Sequence, residues 1–330
     1  MKKVLTLSIF TMLAIVAPPI VQTTLAQDQC SAEAKDALYA SFVQNRQSDQ
    51  KKAYDDAKKY LACPVNEPTE AQQKIIDYLK KYSAAYEKGS SWSQFLDLLY
   101  IQKKYPEAYA LGAAILAREP DNLSVLVHLG VNGYLQVKNP ALSAQGLDYA
   151  RRALPQLESG KALDDWGPIG NRDTALAYLN YTIGSLSVPT DPKGALKYLM
   201  KSAQFDTPLK KSPLTYALVA GAYETGDYAK QSEEYKRLFG GKDETPESKL
   251  ALANIYQLVD RMIDGYARAI ALAGSDANFA AQKPQWTDSL MQWYKFRNNG
   301  SDAGLNELLT TIVSKPLPPI PTPLTSPPPE

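Results

Sequence analysis

Apolar residues return every three or four positions from residue 32 to residue 313, and no stretch alternates apolar and polar residues as a half-buried strand does. The period predicts helices over 34–46, 49–62, 70–86 and 142–157, and a last pair over 284–297 and 302–313. Cap and turn signals fall between them. Thr69 with Gln72 reads as a capping box, and Pro192 behind Asp191 and Pro246 behind Thr245 place proline in a first helical turn. Gly226-Asp227, Gly240-Gly241 and Gly274 mark helix ends. The chain is therefore all-α. Whether it is a bundle or a stack of hairpins depends on whether the pattern repeats.

It does repeat. In the segment that closes on "YPEAYALGAAILAREPDN", Trp92, Phe95-Leu96 and Leu99 are followed by Ala108, Gly112, Ile115 and Pro120. A second unit starts on Leu126, Leu129-Gly130 and Gly133. A third follows on Tyr216, Val219-Ala220, Tyr223 and Tyr235, and a fourth on Leu252-Ala253, Tyr256, Gly265, Ala269 and Leu272. Tyr178, Tyr181, Ala195 and Leu199 give a weaker unit, and Leu38, Ala53, Ala57 and Tyr60 a divergent one. These spacings resemble the tetratricopeptide (TPR) family, whose pattern of about 34 residues places small residues where two helices touch and large ones between hairpins. The resemblance implies a TPR-like helical-hairpin solenoid, a right-handed superhelix. It divides the chain into a divergent repeat region at 27–88, repeats at 89–279 and a C-terminal capping pair at 280–314. Residues 315–330, "KPLPPIPTPLTSPPPE", are expected to be an extended, disordered proline-rich tail, a spacer or a ligand for a proline-binding groove.

In TPR proteins the first helix of each repeat lines a concave groove. The resemblance puts Ser93, Gln94 and Asp97 there, then Val127, His128 and Val131, then Asn180 and Ile183. These places carry no Lys/Asn/Arg set of the kind that holds a peptide carboxylate, so they suit an apolar peptide or a helix. His128 is open to two readings, a partner contact or ordinary packing.

The N-terminus changes the compartment. Lys2 and Lys3 precede an apolar run broken by Pro18-Pro19, and Thr24-Leu25-Ala26 offers small residues to a peptidase. Residues 1–26 are expected to be a secretory signal peptide. Losing two lysines and no acid takes the formal charge from +1 to −1, which leaves no basic field for nucleic acid. In an exported chain the two cysteines, Cys30 and Cys63, read as a disulfide. Two antiparallel helices over 34–46 and 49–62 bring those positions together.

Candidate chemistry is sparse. One histidine excludes a His-based metal cluster, and neither a phosphate loop nor a nucleophile elbow is present. Asp164 and Asp165 beside Trp166 form the most suggestive acidic group, although adjacent aspartates commonly end a helix. The expectation is an exported, periplasmic or extracellular, non-enzymatic scaffold with a protein or peptide partner, no cofactor and no membrane segment after cleavage. The alternatives are an envelope-assembly component acting through its tail or by oligomerising, and a carboxylate hydrolase.

Overall fold

The computed structural model describes residues 30–327, so the expected signal peptide lies outside the described residues. Among them every regular element is helical and there is no strand. They fall into two compact units, one up to Asp97 and the other from Leu98.

The first unit holds α1 (Ala32–Asn45), α2 (Gln50–Ala62) and α3 (Glu70–Leu96). Ser31 and Asp49 cap the first two by accepting from Ala34 N and Lys52 N. Thr69 and Gln72 form the expected capping box on α3. Phe42, Ala53, Ala57, Tyr60 and Leu79 make the core, and the Phe42 ring meets Tyr82 edge-on at 4.9 Å. Cys30 and Cys63 are joined as a disulfide between the start of α1 and the end of α2. Asp56 is buried, which raises its pKa, yet hydrogen bonds from Ser41 (2.6 Å) and Lys52 (3.0 Å) prevail and hold the carboxyl below its usual value. The helix expected at 70–86 runs on to Leu96 without a break, because Gly89 alone, in open space, does not interrupt it.

The second unit holds α4 (Tyr105–Arg118), α5 (Leu123–Val131), α6 (Pro140–Glu158), α7 (Arg172–Ser187) and α8 (Pro192–Ser202). It continues with α9 (Pro213–Tyr223), α10 (Ala229–Phe239), α11 (Pro246–Ala273), α12 (Lys283–Arg297) and α13 (Leu305–Thr311). Helices α5 and α6 pack as one antiparallel hairpin, α7 and α8 as the next. Their backbones approach closely where the chain has no side chains to hold them apart. A Cβ on Gly130 would lie 2.9 Å from Ala150 Cα. Helix α9 lies against α11 in the same way, since a Cβ on Gly265 would meet Tyr216 O at 2.9 Å.

Two expected repeats are built differently. The hairpin expected over 252–272 is one continuous helix of 28 residues, α11. Nothing between Leu250 and Ala273 other than Gly265 breaks a helix, so spacing alone could not supply a turn. Gly226-Asp227 does not separate two packed helices either. Residues Glu224–Tyr228 form a π-helical turn kinked at Gly226, and α9 turns away from α10 to pack on α11. The terminal pair is present: Trp286, Leu290, Trp293, Leu305 and Ile312 are buried, and α12 and α13 cover α11.

Candidate functional site

The clearest recognition surface is one face of α11. Asn254, Arg261 and Arg268 stand seven residues apart, two helical turns, and so share that face. Each is bonded to the backbone of the proline-rich tail. Arg268 donates from Nη1 to Lys315 O (3.0 Å) and from Nη2 to Pro316 O (2.9 Å). Arg261 donates from Nε to Pro319 O at 2.8 Å. Asn254 accepts from Leu324 N at 2.7 Å and donates to Leu324 O at 3.3 Å. The tail is extended, as expected, but it is held along the helix and not free. It runs antiparallel to α11. The helix advances about 21 Å between its outer rungs, and eight polyproline-like steps from Pro316 to Leu324 span about 25 Å. The two lengths agree for a nearly taut strand.

The chemistry matches the ligand. Proline has a carbonyl but no N–H, so a proline-rich strand offers acceptors in excess. A helix that binds it must supply donors, and arginine supplies them in a fixed fork. Arg268 is buried at 4 % exposure and forms a two-point pair with Asp264 at 2.7 and 3.2 Å. The tail carbonyls take two more of its donors, partners that a buried guanidinium needs. The Arg268 guanidinium also lies 5.8 Å from the Tyr216 ring centroid. Beside the tail's root is a cavity of about 560 Å³, floored by Met200, Ala203 and Tyr216 and rimmed by Lys210, Lys211 and Lys315. Farther along, α10, α11 and Pro323 enclose a cleft of about 340 Å³ lined by Tyr235, Leu238 and Phe239.

A third concavity, of about 270 Å³, lies over α5 and α7 between Val131, Tyr134, Tyr178, Pro168 and Pro208. His128 sits beneath it, fully buried. Tyr100 Oη is 2.8 Å from His128 Nδ1, and Asn132 Nδ2 donates to Tyr100 Oη (3.1 Å) and to His128 O (2.9 Å). Burial lowers the His128 pKa to about 4 against an opposing pull from Asp165, so the ring is neutral at pH 7. Burial also drives the Tyr100 phenol well above its usual value and Tyr134 up to about 12.

No protein-family model matches the chain, and neither the curated proteins nor the solved structures give a match. The site therefore rests on its own geometry.

That geometry disperses the expected groove. Val127, His128, Val131, Asn180 and Ile183 are all buried in the second unit. His128 takes the packing role, bonded to Tyr100. Val131 borders the cleft over α5, whereas Asn180 and Ile183 border a different one, of about 490 Å³, with Arg151, Lys197 and Lys201. Ser93 and Gln94 are exposed on α3 of the first unit, and Asp97 is half-buried at the start of the π-helical turn Asp97–Ile101. Repeat spacing marks which residues sit on a helix's inner face. It does not say whether that face is an open groove or a sealed interface. Asp165 accepts from Gly167 N at 2.9 Å, a turn-forming contact, and Asp164 is exposed. Among the described residues no group of three or more His, Cys, Asp or Glu could hold a metal ion, and no helix is long and apolar enough to cross a membrane.

The ladder on α11 escaped the sequence reading. Its signal was an Asn/Arg/Arg heptad on a helix whose other residues are largely apolar, in a chain that ends in prolines.

Proposed function

We propose that this protein is an exported, non-enzymatic binding scaffold of TPR-like helical hairpins, and that α11 is its seat for an extended, proline-rich segment of a protein partner. The observation that carries the reading is the three-rung ladder of Asn254, Arg261 and Arg268. It donates to main-chain carbonyls, the one polar group every proline retains. Its contacts are to backbone, so it selects for extended, proline-rich chain more than for particular side chains. Export is supported by the Cys30–Cys63 disulfide, a bond typical of oxidising compartments. The chain's own tail is the resident occupant, and a partner would compete with it.

The test uses a chain ending at Ser314 and a synthetic peptide of residues 315–330, titrated by calorimetry. Saturable one-to-one binding is expected, weakened about tenfold by Arg261→Ala, which loses a charge-assisted hydrogen bond of about 1.5–3 kcal/mol before water replaces it. A folded, truncated chain that ignores the peptide would sink the proposal. A peptide of the same composition in scrambled order should bind comparably, since the rungs read backbone.

A further inference from the structure

The seat on α11 holds the tail of this chain, and a second copy carries the same tail. We infer that two copies exchange their tails, each proline-rich strand lying on the α11 of the other. The inference rests on the reading of α11 as a seat for such a strand and adds the partner.

Three observations carry it. First, apart from Leu317, which packs against the core, the tail is held on its seat by bonds from its main chain to Asn254, Arg261 and Arg268. An exchanged strand makes the same five bonds, so exchange alters no rung and is governed by the local concentration of tail around each seat. Second, the tail leaves the fold directly after the short 3-10 turn Ile312–Ser314, and its prolines at 316, 318, 319, 321 and 323 stiffen it. A stiff strand stays extended when it leaves its seat. Third, the apolar side chains around the seated strand are left in water. Val313 is 47 % exposed, Ile320 45 %, Leu324 39 % and Leu238, on the neighbouring α10, 36 %. Helix α10 has no buried residue at all, although its apolar side chains border the cleft at Pro323. A strand fixed by its backbone, with Ile320 and Leu324 outward, presents an unfinished interface. A second copy crossing at this point would cover it.

The experiment traps the strand where it lies. Single variants Asn254→Cys and Leu324→Cys of the full chain are mixed at high concentration, oxidised and read on a non-reducing gel, beside the double variant oxidised when dilute. The two substituted positions are bonded neighbours in the seat, and the remaining rungs, Arg261 and Arg268, stay intact. A disulfide-linked heterodimer in the mixture is expected. Its yield should rise with concentration and fall at least fivefold when Arg261→Ala is added to both chains. If the double variant closes within one chain while the mixture stays monomeric, exchange is wrong and the seat stands. If neither forms a link, the seat itself is wrong and the proposed function goes with it. A chain ending at Ser314 that still dimerises would also overturn exchange, since it would place the interface outside the tail.

Discussion

At one end of the described chain a covalent bond between Cys30 and Cys63 closes the pair α1–α2, and at the other five hydrogen bonds hold a proline-rich strand against α11. Both devices restrain an end of the described chain. They work on opposite sides of the folding equilibrium. The disulfide acts mainly by removing conformations from the unfolded chain, and it leaves no surface for another molecule. The strand acts through native contacts alone, so whatever competes for Asn254, Arg261 and Arg268 can undo it. A small unit with a small core gains most from the first device. A large unit with a core running from Ala177 to Ile312 can leave its last segment to the second.

The largest expected effect tests the covalent side. Cys30 and Cys63 are 33 residues apart, and on the chain-entropy model opening such a loop costs about 3–4 kcal/mol. Reduction, or the double variant Cys30→Ser/Cys63→Ser, should lower the stability of the first unit by that amount. Hydrogen exchange of amides in α1 and α2 should rise steeply while those in α11 stay protected. Equal loosening in both units would break the comparison, because it would mean that the staple supports the whole chain.

The next effect, about 3 kcal/mol, separates the units by pH. His128, the only histidine, belongs to the second unit. Its folded pKa is about 4 against an ordinary 6.5, so the unfolded chain takes up the proton first as pH falls. The stability it contributes is complete above pH 6.5, declines between 6.5 and 4, and is gone below that window. In the first unit Asp56, held below its usual 3.8, contributes stability that is lost only as pH falls through that lower range. Denaturant unfolding from pH 7 to pH 4.5 should therefore weaken the second unit first. In His128→Phe that slope should flatten. A first unit that fails earlier would reverse the assignment.

How legible all this was in the sequence depended on whether the decisive interaction is local. Caps were legible because Thr69 reaches Gln72 three residues on, and Thr245 reaches Ser248. The disulfide was legible because two helices of similar length fold back on each other. The hairpins α5–α6 and α7–α8 were legible from their spacing and small residues, Gly130, Gly133 and Ala195 among them, which permit close backbone contact. Repeat spacing overreached at α11, where the apolar period of two expected helices continues through a segment with no turn. It does not assemble one groove either, since His128 is buried against Tyr100 and Asn180 borders a separate cleft. The tail's seat was out of reach for a different reason. Arg268 and Pro316 are 48 residues apart and Asn254 and Leu324 are 70, and the tail groups that answer the ladder belong to its backbone, which leaves no residue type to covary with.

The smallest effect is the sharpest test of the non-covalent side. Asn254 grips the far end of the strand by two bonds to Leu324, one accepted at 2.7 Å and one donated at 3.3 Å, both near the surface. Exposed hydrogen bonds of this kind contribute about 1 kcal/mol net, because water replaces them. Asn254→Ala should therefore leave global unfolding almost unchanged and raise the open population of the strand's end roughly fivefold. Limited proteolysis near Leu324 should accelerate by that factor, while cleavage near Pro316 should not, since Arg268 still holds that carbonyl from within the core. Such graded release, end first and root last, is what a strand held rung by rung must show. If the whole tail instead came free at once, the five bonds would be acting as one cooperative clasp, closer in behaviour to the disulfide at the opposite end than its chemistry implies.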